Sequence, residues 1–469
     1  MVQNYYEEIP KIKLISECFV KPTHVGVANG APNEPHYLRT IDLITLTVNP
    51  MQKGLLFDTK PHNLRSHFLP NLKKSLAFAL NHFYTLSGQL VTQKFPDEHA
   101  CCLYVDCNSG PGARFIHACV EYRVSDIVSS VDVHPIVASF FDLGEKSINS
   151  DGHTRPLLSV QVTELLDGIF IGFTMNHCLA DGTSLWHFIS TLSEIFGQLN
   201  DQKEVNYDVV SITKKPIFKT LFFDHEYGPG PIPKLPYVEP NEFKFRYDPG
   251  PLRVRIFHFS SKSISMLKAQ ANEECGLHNN ISSFQALCGL MWRSITRSRN
   301  LRPDYEVKFA VAINARPRLD PPLSPEYFRS FYVTAKCVYK AGDLLSNGLG
   351  QAALLINQII KMYDDEGTRR VLKQYEEQPS IHRPVFNSSN GNPKAGIFIA
   401  GSSKFDTYGP EFGLGRAIAV LGGYVNMDDG KLVMNPGRDG DGSVDVEVVL
   451  KPETMNALEL DEEFMSFTT

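Results

Sequence analysis

The feature that most constrains the fold is a pair of apolar segments joined by a short turn. Residues 157–164 and 169–175 are rich in β-branched and aromatic side chains, and Leu166-Asp167-Gly168 lies between them. This pattern predicts a β-hairpin. A polar stretch starts at Asn176, and apolar side chains then recur at helical spacing from Leu185 to Phe196. The chain therefore passes from a hairpin through a short loop into a helix.

His177 lies in this strand-to-helix loop, where a fold can present a general base. Asp181 follows four residues later and Gly182 comes next. A single histidine beside an apolar strand is more often a satisfied buried side chain than a catalytic one, and Asp181 is also a good residue to cap the helix. Cys178 adjoins His177, but a neighbour on the same loop points elsewhere, so we interpret it as a packing residue.

Length and composition allow more than one sizeable core. The chain has 469 residues, of which 42% are hydrophobic, whereas single cores stop growing at about 250–300 residues. Two domains are therefore expected. A proline-rich stretch, residues 197–251, reads as a crossover linker between an N-terminal domain, 1–196, and a C-terminal domain, 252–469.

Charge, cysteine content and hydropathy argue against a nucleic-acid-binding, disulfide-bonded, metal-binding or membrane protein. A net charge of −6 argues against nucleic acid as a partner. Nine cysteines without a C-x-x-C pair indicate reduced thiols and no metal site. Apolar runs are too short to span a bilayer, and the N-terminus is acidic where a signal peptide would be basic. We expect a cytoplasmic monomer without a membrane span.

Several motifs along the chain, taken in order, resemble those of the BAHD acyltransferases, the plant branch of the coenzyme A-dependent acyltransferases. His177, Asp181 and Gly182 match H-x-x-x-D-G. Further matches are Phe83-Tyr84-Thr85-Leu86-Ser87-Gly88-Gln89-Leu90, Ile281 to Arg293, Asn314-Ala315-Arg316-Pro317-Arg318, Tyr327-Phe328-Arg329-Ser330, Glu411-Phe412-Gly413-Leu414-Gly415, and Asn435 to Phe464. The resemblance covers nearly the whole chain.

The resemblance implies an α/β fold of the chloramphenicol-acetyltransferase type. Two similar-sized mixed-sheet domains would then enclose an active-site channel at their interface, with acyl-coenzyme A entering from one side and a small alcohol or amine acceptor from the other. Acyl-coenzyme A is a co-substrate, and no tightly bound cofactor is expected.

Residue roles also follow from the resemblance. His177 is the expected general base, because a neutral imidazole accepts a proton at cellular pH. Asp181 is expected to turn away and pair with an arginine, and Gly182 to give clearance beside His177. Ser260, Lys262 and Ser282 are expected near the coenzyme A mouth, although Lys262 is as readily a solvated surface lysine.

Two departures from the family pattern indicate a divergent subgroup. Glu411-Phe412-Gly413-Leu414-Gly415 replaces D-F-G-W-G; it keeps both glycines, and Glu411 is expected to pair with Arg316 as the family's acid does with its arginine. Arg329 stands where the family's Y-F-G-N has glycine.

Two functions therefore remain open. The first is acyl transfer to a specialised metabolite without an acyl-enzyme, since no G-x-S-x-G elbow is present. The second is a repurposed cavity that catalyses elimination within a bound conjugate or only binds a metabolite.

Overall fold

The computed structural model describes residues 12–23, 34–142, 147–200, 210–218, 232–239, 242, 250–276, 280–381 and 395–469. The strands are β1 (Lys13–Val20), β2 (His36–Tyr37), β3 (Met51–Phe57), β4 (Gln89–Phe95), β5 (Ala100–Asp106), β6 (Ala113–Cys119), β7 (Leu158–Glu164), β8 (Ile169–Met175), β9 (Arg253–Phe259), β10 (Glu306–Asn314), β11 (Tyr332–Lys340), β12 (Gly396–Gly401), β13 (Ala419–Gly422), β14 (Lys431–Pro436) and β15 (Val444–Leu450).

The helices are α1 (Thr40–Leu43), α2 (Leu69–His82), α3 (Val124–Val128), α4 (Gly182–Asn200), α5 (Ser261–Glu274), α6 (Ser283–Ser298), α7 (Ala341–Ser346), α8 (Leu349–Lys361), α9 (Asp365–Glu377), α10 (Pro452–Leu458) and α11 (Glu462–Met465). A π-helical turn, Leu64–Phe68, precedes α2. Turns of 3-10 helix are Tyr84–Ser87, Pro96–Glu98, Pro135–Phe140, Asn149–His153 and Arg316–Arg318.

These strands form two six-stranded mixed sheets and a small third sheet. The first sheet has the order β1-β6-β7-β8-β3-β13, and the second has β11-β10-β12-β14-β15-β9. Parallel pairs occur in both, between β6 and β7 and between β12 and its two neighbours. The expected α/β fold with two mixed sheets is confirmed.

One strand crosses between the halves of the chain. β13 comes late in the sequence, yet it pairs antiparallel with β3 at the edge of the first sheet, where Gly422 lies opposite Lys53. A division of the chain into 1–196 and 252–469 does not describe this strand. The pairing of β13 with β3 therefore connects the C-terminal half of the chain to the sheet that carries His177.

Three apolar clusters hold these layers together. One lies between the first sheet and the helices α2 and α4, and a second lies between the second sheet and α5, α6 and α8. The third joins the sheets directly, with Leu56 and Phe170 of the first sheet packed near Val254 and Val449 of the second. The two domains therefore share a core.

The hairpin predicted from the sequence is confirmed. β7 and β8 pair antiparallel from Leu158 opposite Met175 to Glu164 opposite Ile169, and all of their residues are buried. The proline-rich stretch is described only in part, and Gly228 to Pro231 lie outside the described residues. In the described residues, no helix is both long and apolar enough to cross a membrane.

Gly54 of β3 gives a test of this packing. A Cβ at Gly54 would lie 2.2 Å from Phe170 Cζ, and that ring sits in the core that joins the sheets. Gly54→Ala should lower the free energy of unfolding by about 1–3 kcal/mol, the usual range for overpacking. Chemical denaturation measures this change in the free energy of unfolding. The matched control is Gly197→Ala in α4, where an added Cβ meets no atom within 4 Å; equal effects of the two changes would contradict the packing.

Candidate active site

The His177 loop starts where the hairpin ends and stops where α4 begins. The amide of Asn176 donates to the Leu157 carbonyl at 2.9 Å, which extends the hairpin by one bond. α4 then starts at Gly182. The short connection leaves His177 at the end of a buried strand with its side chain half-buried.

The His177 ring is held by one hydrogen bond within the loop. Its Nδ1 lies 2.8 Å from the carbonyl oxygen of Ala180. A carbonyl only accepts, so Nδ1 carries the proton and Nε2 keeps a free lone pair. Burial lowers the pKa of His177 below its ordinary value because it disfavours the charged imidazolium. The ring is therefore a neutral base near pH 7, with Nε2 as the accepting atom.

A second residue fixes the main chain of the loop. The amide of His177 donates to Asn149 Oδ1 at 2.8 Å, and Asn149 is completely buried. Its Nδ2 donates to the carbonyls of Thr45 and Val48, at 2.8 and 2.9 Å. Asn149 could not be predicted from the sequence, since an asparagine 28 positions before His177 belongs to no motif.

His177 faces the second sheet. Its ring centroid lies 6.0 Å from that of Tyr332 on β11. Val333 and Ala335 of β11 are in the core under the helices of that sheet, so Tyr332 lies on the opposite face. The candidate base is therefore at the junction between the two sheets.

Asp181 both caps α4 and forms a buried ion pair with Arg316. Its Oδ1 accepts from the Ser184 amide at 3.0 Å, and Arg316 Nη1 lies 2.6 Å from Oδ2. The Phe331 amide also donates to Oδ2, at 3.0 Å. Burial acts to raise the pKa of Asp181, but the Arg316 charge and these hydrogen bonds outweigh it and hold the pKa below its ordinary value.

Arg316 therefore has a different partner from the one expected for it. Glu411 is exposed, and in the described part of the chain it makes no ion pair. Arg316 is 1% exposed and, besides Asp181, donates to the carbonyls of Tyr327 and Arg329 at 2.9 and 2.8 Å. The expected Glu411–Arg316 pair is wrong, because each nitrogen of the guanidinium already donates to Asp181 or to a main-chain carbonyl.

The Glu411 to Gly415 segment acts through its phenylalanine. Phe412 is 1% exposed and lies 6.4 Å from the Phe173 ring and 6.0 Å from the Phe196 ring. Phe412, Gly413 and Gly415 all have positive φ, which explains the two glycines. Leu414 packs at the edge of the same core. Phe412 therefore holds residues 411–415, which come from the second half of the chain, against α4 of the first domain.

The absence of a side chain at Gly182 leaves room for the ring of Phe405, and not for His177 as expected. A Cβ there would lie 3.1 Å from two ring atoms of Phe405. The aromatic side chain of the loop before β13 therefore reaches the start of α4. The predicted clearance beside His177 is replaced by close packing between the two halves.

A second ion pair crosses the domain junction. Arg329, which replaces the family's glycine, has its Nη1 2.6 Å from Asp42 Oδ2, and both side chains are buried. The Arg329 carbonyl accepts from Ser184 Oγ at 3.0 Å. Arg329 thus connects α1 with the start of α4. Nothing in the sequence pattern identified Asp42 as its partner.

Cys178 is a packing residue in the structure. It is completely buried, and burial raises the pKa of its thiol above the ordinary range. Its Sγ lies 3.6 Å from Thr45 Oγ1. A thiol held in this way is a poor nucleophile.

The three residues expected near coenzyme A lie at helix starts. Ser260 Oγ caps α5 by accepting from the Ser263 amide at 3.1 Å, and Ser282 Oγ caps α6 by accepting from the Gln285 amide at 3.3 Å. Lys262 is exposed in the first turn of α5. α5 and α6 pack against each other, so their N-termini belong to one helical layer.

Comparison with known proteins identifies the family. The model of the Transferase family matches residues 19–465. An uncharacterized acetyltransferase of Arabidopsis thaliana is 35% identical over 97% of this chain and 98% of its own length. BAHD acyltransferase DCR of the same plant is 29% identical over 97% of this chain and 92% of its own.

A solved structure shares the fold. F. sporotrichioides TRI101, crystallised with coenzyme A and T-2, has a TM-score of 0.72 and 17% identity, over 93% of this chain and 99% of that one. At 17% identity, this likeness shows the fold alone. Together with the family match over nearly the whole length, it shows that the chain belongs to the Transferase family, the BAHD acyltransferases.

Proposed function

We propose that this protein transfers an acyl group from an acyl-coenzyme A thioester to a hydroxyl or amine of a small specialised metabolite, with His177 as the general base. The observation that carries the proposal is the His177 ring, whose Nδ1 is occupied by the Ala180 carbonyl at 2.8 Å. Nε2 is then available at the junction of the sheets. The membership in an acyltransferase family supports the same reaction.

The reaction needs one base that acts twice. His177 Nε2 accepts the acceptor's proton as its oxygen or nitrogen attacks the thioester carbon, which becomes tetrahedral. When the carbon–sulfur bond breaks, the imidazolium returns the proton to the coenzyme A sulfur. Both substrates are present together, so no acyl-enzyme forms. Burial of the ring favours this cycle because it keeps the resting imidazole neutral.

Asp181 has a positioning role in this proposal. Four hydrogen bonds occupy its carboxylate, from Ser184, Phe331 and twice from Arg316. None comes from His177, unlike the aspartate of a serine-protease triad. Asp181 and Arg316 instead set the distance between the His177 loop and the second domain.

Ser260, Lys262 and Ser282 remain the proposed groups for coenzyme A. The phosphates of coenzyme A require hydrogen-bond donors, and exposed Lys262 lies at the N-terminus of α5, where the helix dipole also favours an anion. Gly413, Gly415 and Glu411 act at a distance, through the loop that Phe412 anchors.

Binding and turnover test the proposed function. Calorimetric titration of coenzyme A into the parent protein should give saturable binding, and a panel of acyl thioesters with alcohol and amine acceptors should give turnover. A parent protein that binds no coenzyme A and turns over no thioester would contradict the proposal. The repurposed cavity, with elimination or simple metabolite binding, would then take its place.

His177→Ala should leave a folded protein and lower turnover by about 10² to 10⁴, the contribution of a general base. In the parent, kcat/KM should fall as pH drops through a pKa below about 6.5, because the base must be unprotonated. The matched control is His62→Ala, an exposed histidine. If the activity of the His177 variant stayed within a few-fold of the parent, His177 would not be the general base.

Asp181→Ala should cost about 3–5 kcal/mol of stability as well as turnover, because it leaves Arg316 buried without a counter-ion. Asp181→Asn should be milder, since the amide oxygen still accepts hydrogen bonds. Thermal melting and turnover are measured together. An alanine variant that melts like the parent but is as inactive as His177→Ala would indicate a direct chemical role.

A further inference from the structure

Two lysines and a glutamate lie close together near the His177 loop, and the described part of the chain shows no ion pair among them. Lys53 lies on β3, Lys431 on β14 and Glu447 on β15. We call this group the lysine seam, because it lies where the edge of the first sheet meets the second sheet. The proposed reaction uses none of the three side chains.

Strand geometry places Lys431 and Glu447 on one face. Leu432 and Met434 of β14 and Val446 and Val448 of β15 are in the core under the helices of the second sheet. Lys431 and Glu447 alternate with them and therefore lie on the other face, toward the first domain. Val433 is opposite Glu447, so Lys431 and Glu447 are diagonal neighbours, within reach of long side chains.

Lys53 reaches the same place from the first sheet. It lies opposite Gly422 of β13, and directly opposed residues point to the same face, about 4.5–5.5 Å apart at Cβ. An ideal Cβ at Gly422 would lie 3.0 Å from Glu447 Oε2. The Glu447 carboxylate therefore lies on the face of the first sheet from which the Lys53 side chain projects.

The seam is also close to the reacting centre. Lys53 is opposite Phe173 of β8, four residues before His177, a distance on the order of 13 Å along the strand. The charge of Lys431 contributes to lowering the pKa of His177. The seam therefore lies within reach of a small substrate that reacts at His177.

Among the residues that the structure describes, the two lysines of the seam have few hydrogen-bond partners. Lys53 Nζ is buried and has no hydrogen-bond partner in the residues that the structure describes. Lys431 Nζ donates a long hydrogen bond to the Val425 carbonyl, at 3.5 Å, and burial lowers the pKa of Lys431. Asp428 and Glu447 act on Lys431 through their charge, whereas Lys53 adds repulsion. A buried ammonium without a partner is costly, so Lys53 is the cation of the seam that a bound anion would stabilise.

We propose that Lys53 and Lys431 form an anion-binding subsite and that a substrate of this enzyme carries a carboxylate which docks there. The inference rests on the proposed function and names its substrate class. Two sources would supply the same chemistry: an acyl donor with a terminal carboxylate or an acidic acceptor. In both, the carboxylate lies away from the reacting atoms and orients the substrate toward His177.

The first test needs no substrate. Lys53→Met removes the charge and keeps an unbranched side chain, so the ligand-free variant should melt at or above the parent temperature, because the unpaired ammonium is gone. The matched control is Lys74→Met, an exposed lysine of α2, which should melt like the parent. A Lys53 variant that melts clearly below both proteins would show that the lysine is structural and would overturn the subsite.

The second test separates the two sources by binding. Calorimetry compares succinyl-coenzyme A with butyryl-coenzyme A in one arm, and 3-hydroxybenzoate with 3-hydroxybenzamide in the other. The parent and Lys74→Met should bind the carboxylate member at least about tenfold tighter in one arm. Lys53→Met should abolish that preference and change the neutral member by less than about threefold.

The outcomes distinguish this inference from the proposed function. A parent that binds coenzyme A but prefers the carboxylate in neither arm, or a preference that survives in Lys53→Met, overturns the subsite and leaves acyl transfer intact. Failure of the parent to bind coenzyme A or turn over any thioester counts against acyl transfer instead, and the hydroxybenzoate arm still reports on the seam.

Discussion

The buried pair between Asp181 and Arg316 is the interaction on which the rest of the site depends. Asp181 follows the His177 loop, and Arg316 comes from the second half of the chain, so the pair fixes the distance between the two domains at the reacting centre. The carboxylate also caps α4, which sets the end of the loop. Because both groups are removed from water, the arrangement is stable only when every donor and acceptor is used. The hydrogen bonds of Arg316 to the carbonyls of Tyr327 and Arg329 meet this requirement.

The local pattern around His177 was predictable because it depends on near neighbours. Alternating and continuous apolar runs predicted the β7–β8 hairpin, and the helical spacing after Asp181 predicted α4. The resemblance to the BAHD family implied that Asp181 has an arginine partner. The family match over residues 19–465 confirms that resemblance.

What could not be predicted depends on contacts between distant parts of the chain. Asn149 holds the His177 amide but carries no motif, and the exchange of β13 into the first sheet has no local signal. The expected Glu411–Arg316 pair failed for the same reason. A charge in one segment and an opposite charge in another do not reveal that Asp181 already occupies the guanidinium. Likewise Arg329 was noticed as a departure from the family pattern, yet its partner Asp42 lies 287 positions away.

Acyl transfer by this site requires that His177 rest as a neutral imidazole with its proton on Nδ1 and its lone pair on Nε2. Nitrogen-15 NMR of the histidine-labelled protein, with the His177 signals assigned by their loss in His177→Gln, measures both properties during a pH titration. We expect a protonated Nδ1 and an unprotonated Nε2 at neutral pH, and a pKa of His177 below about 6.5. A proton on Nε2 at neutral pH, or a pKa above 6.5, would contradict it.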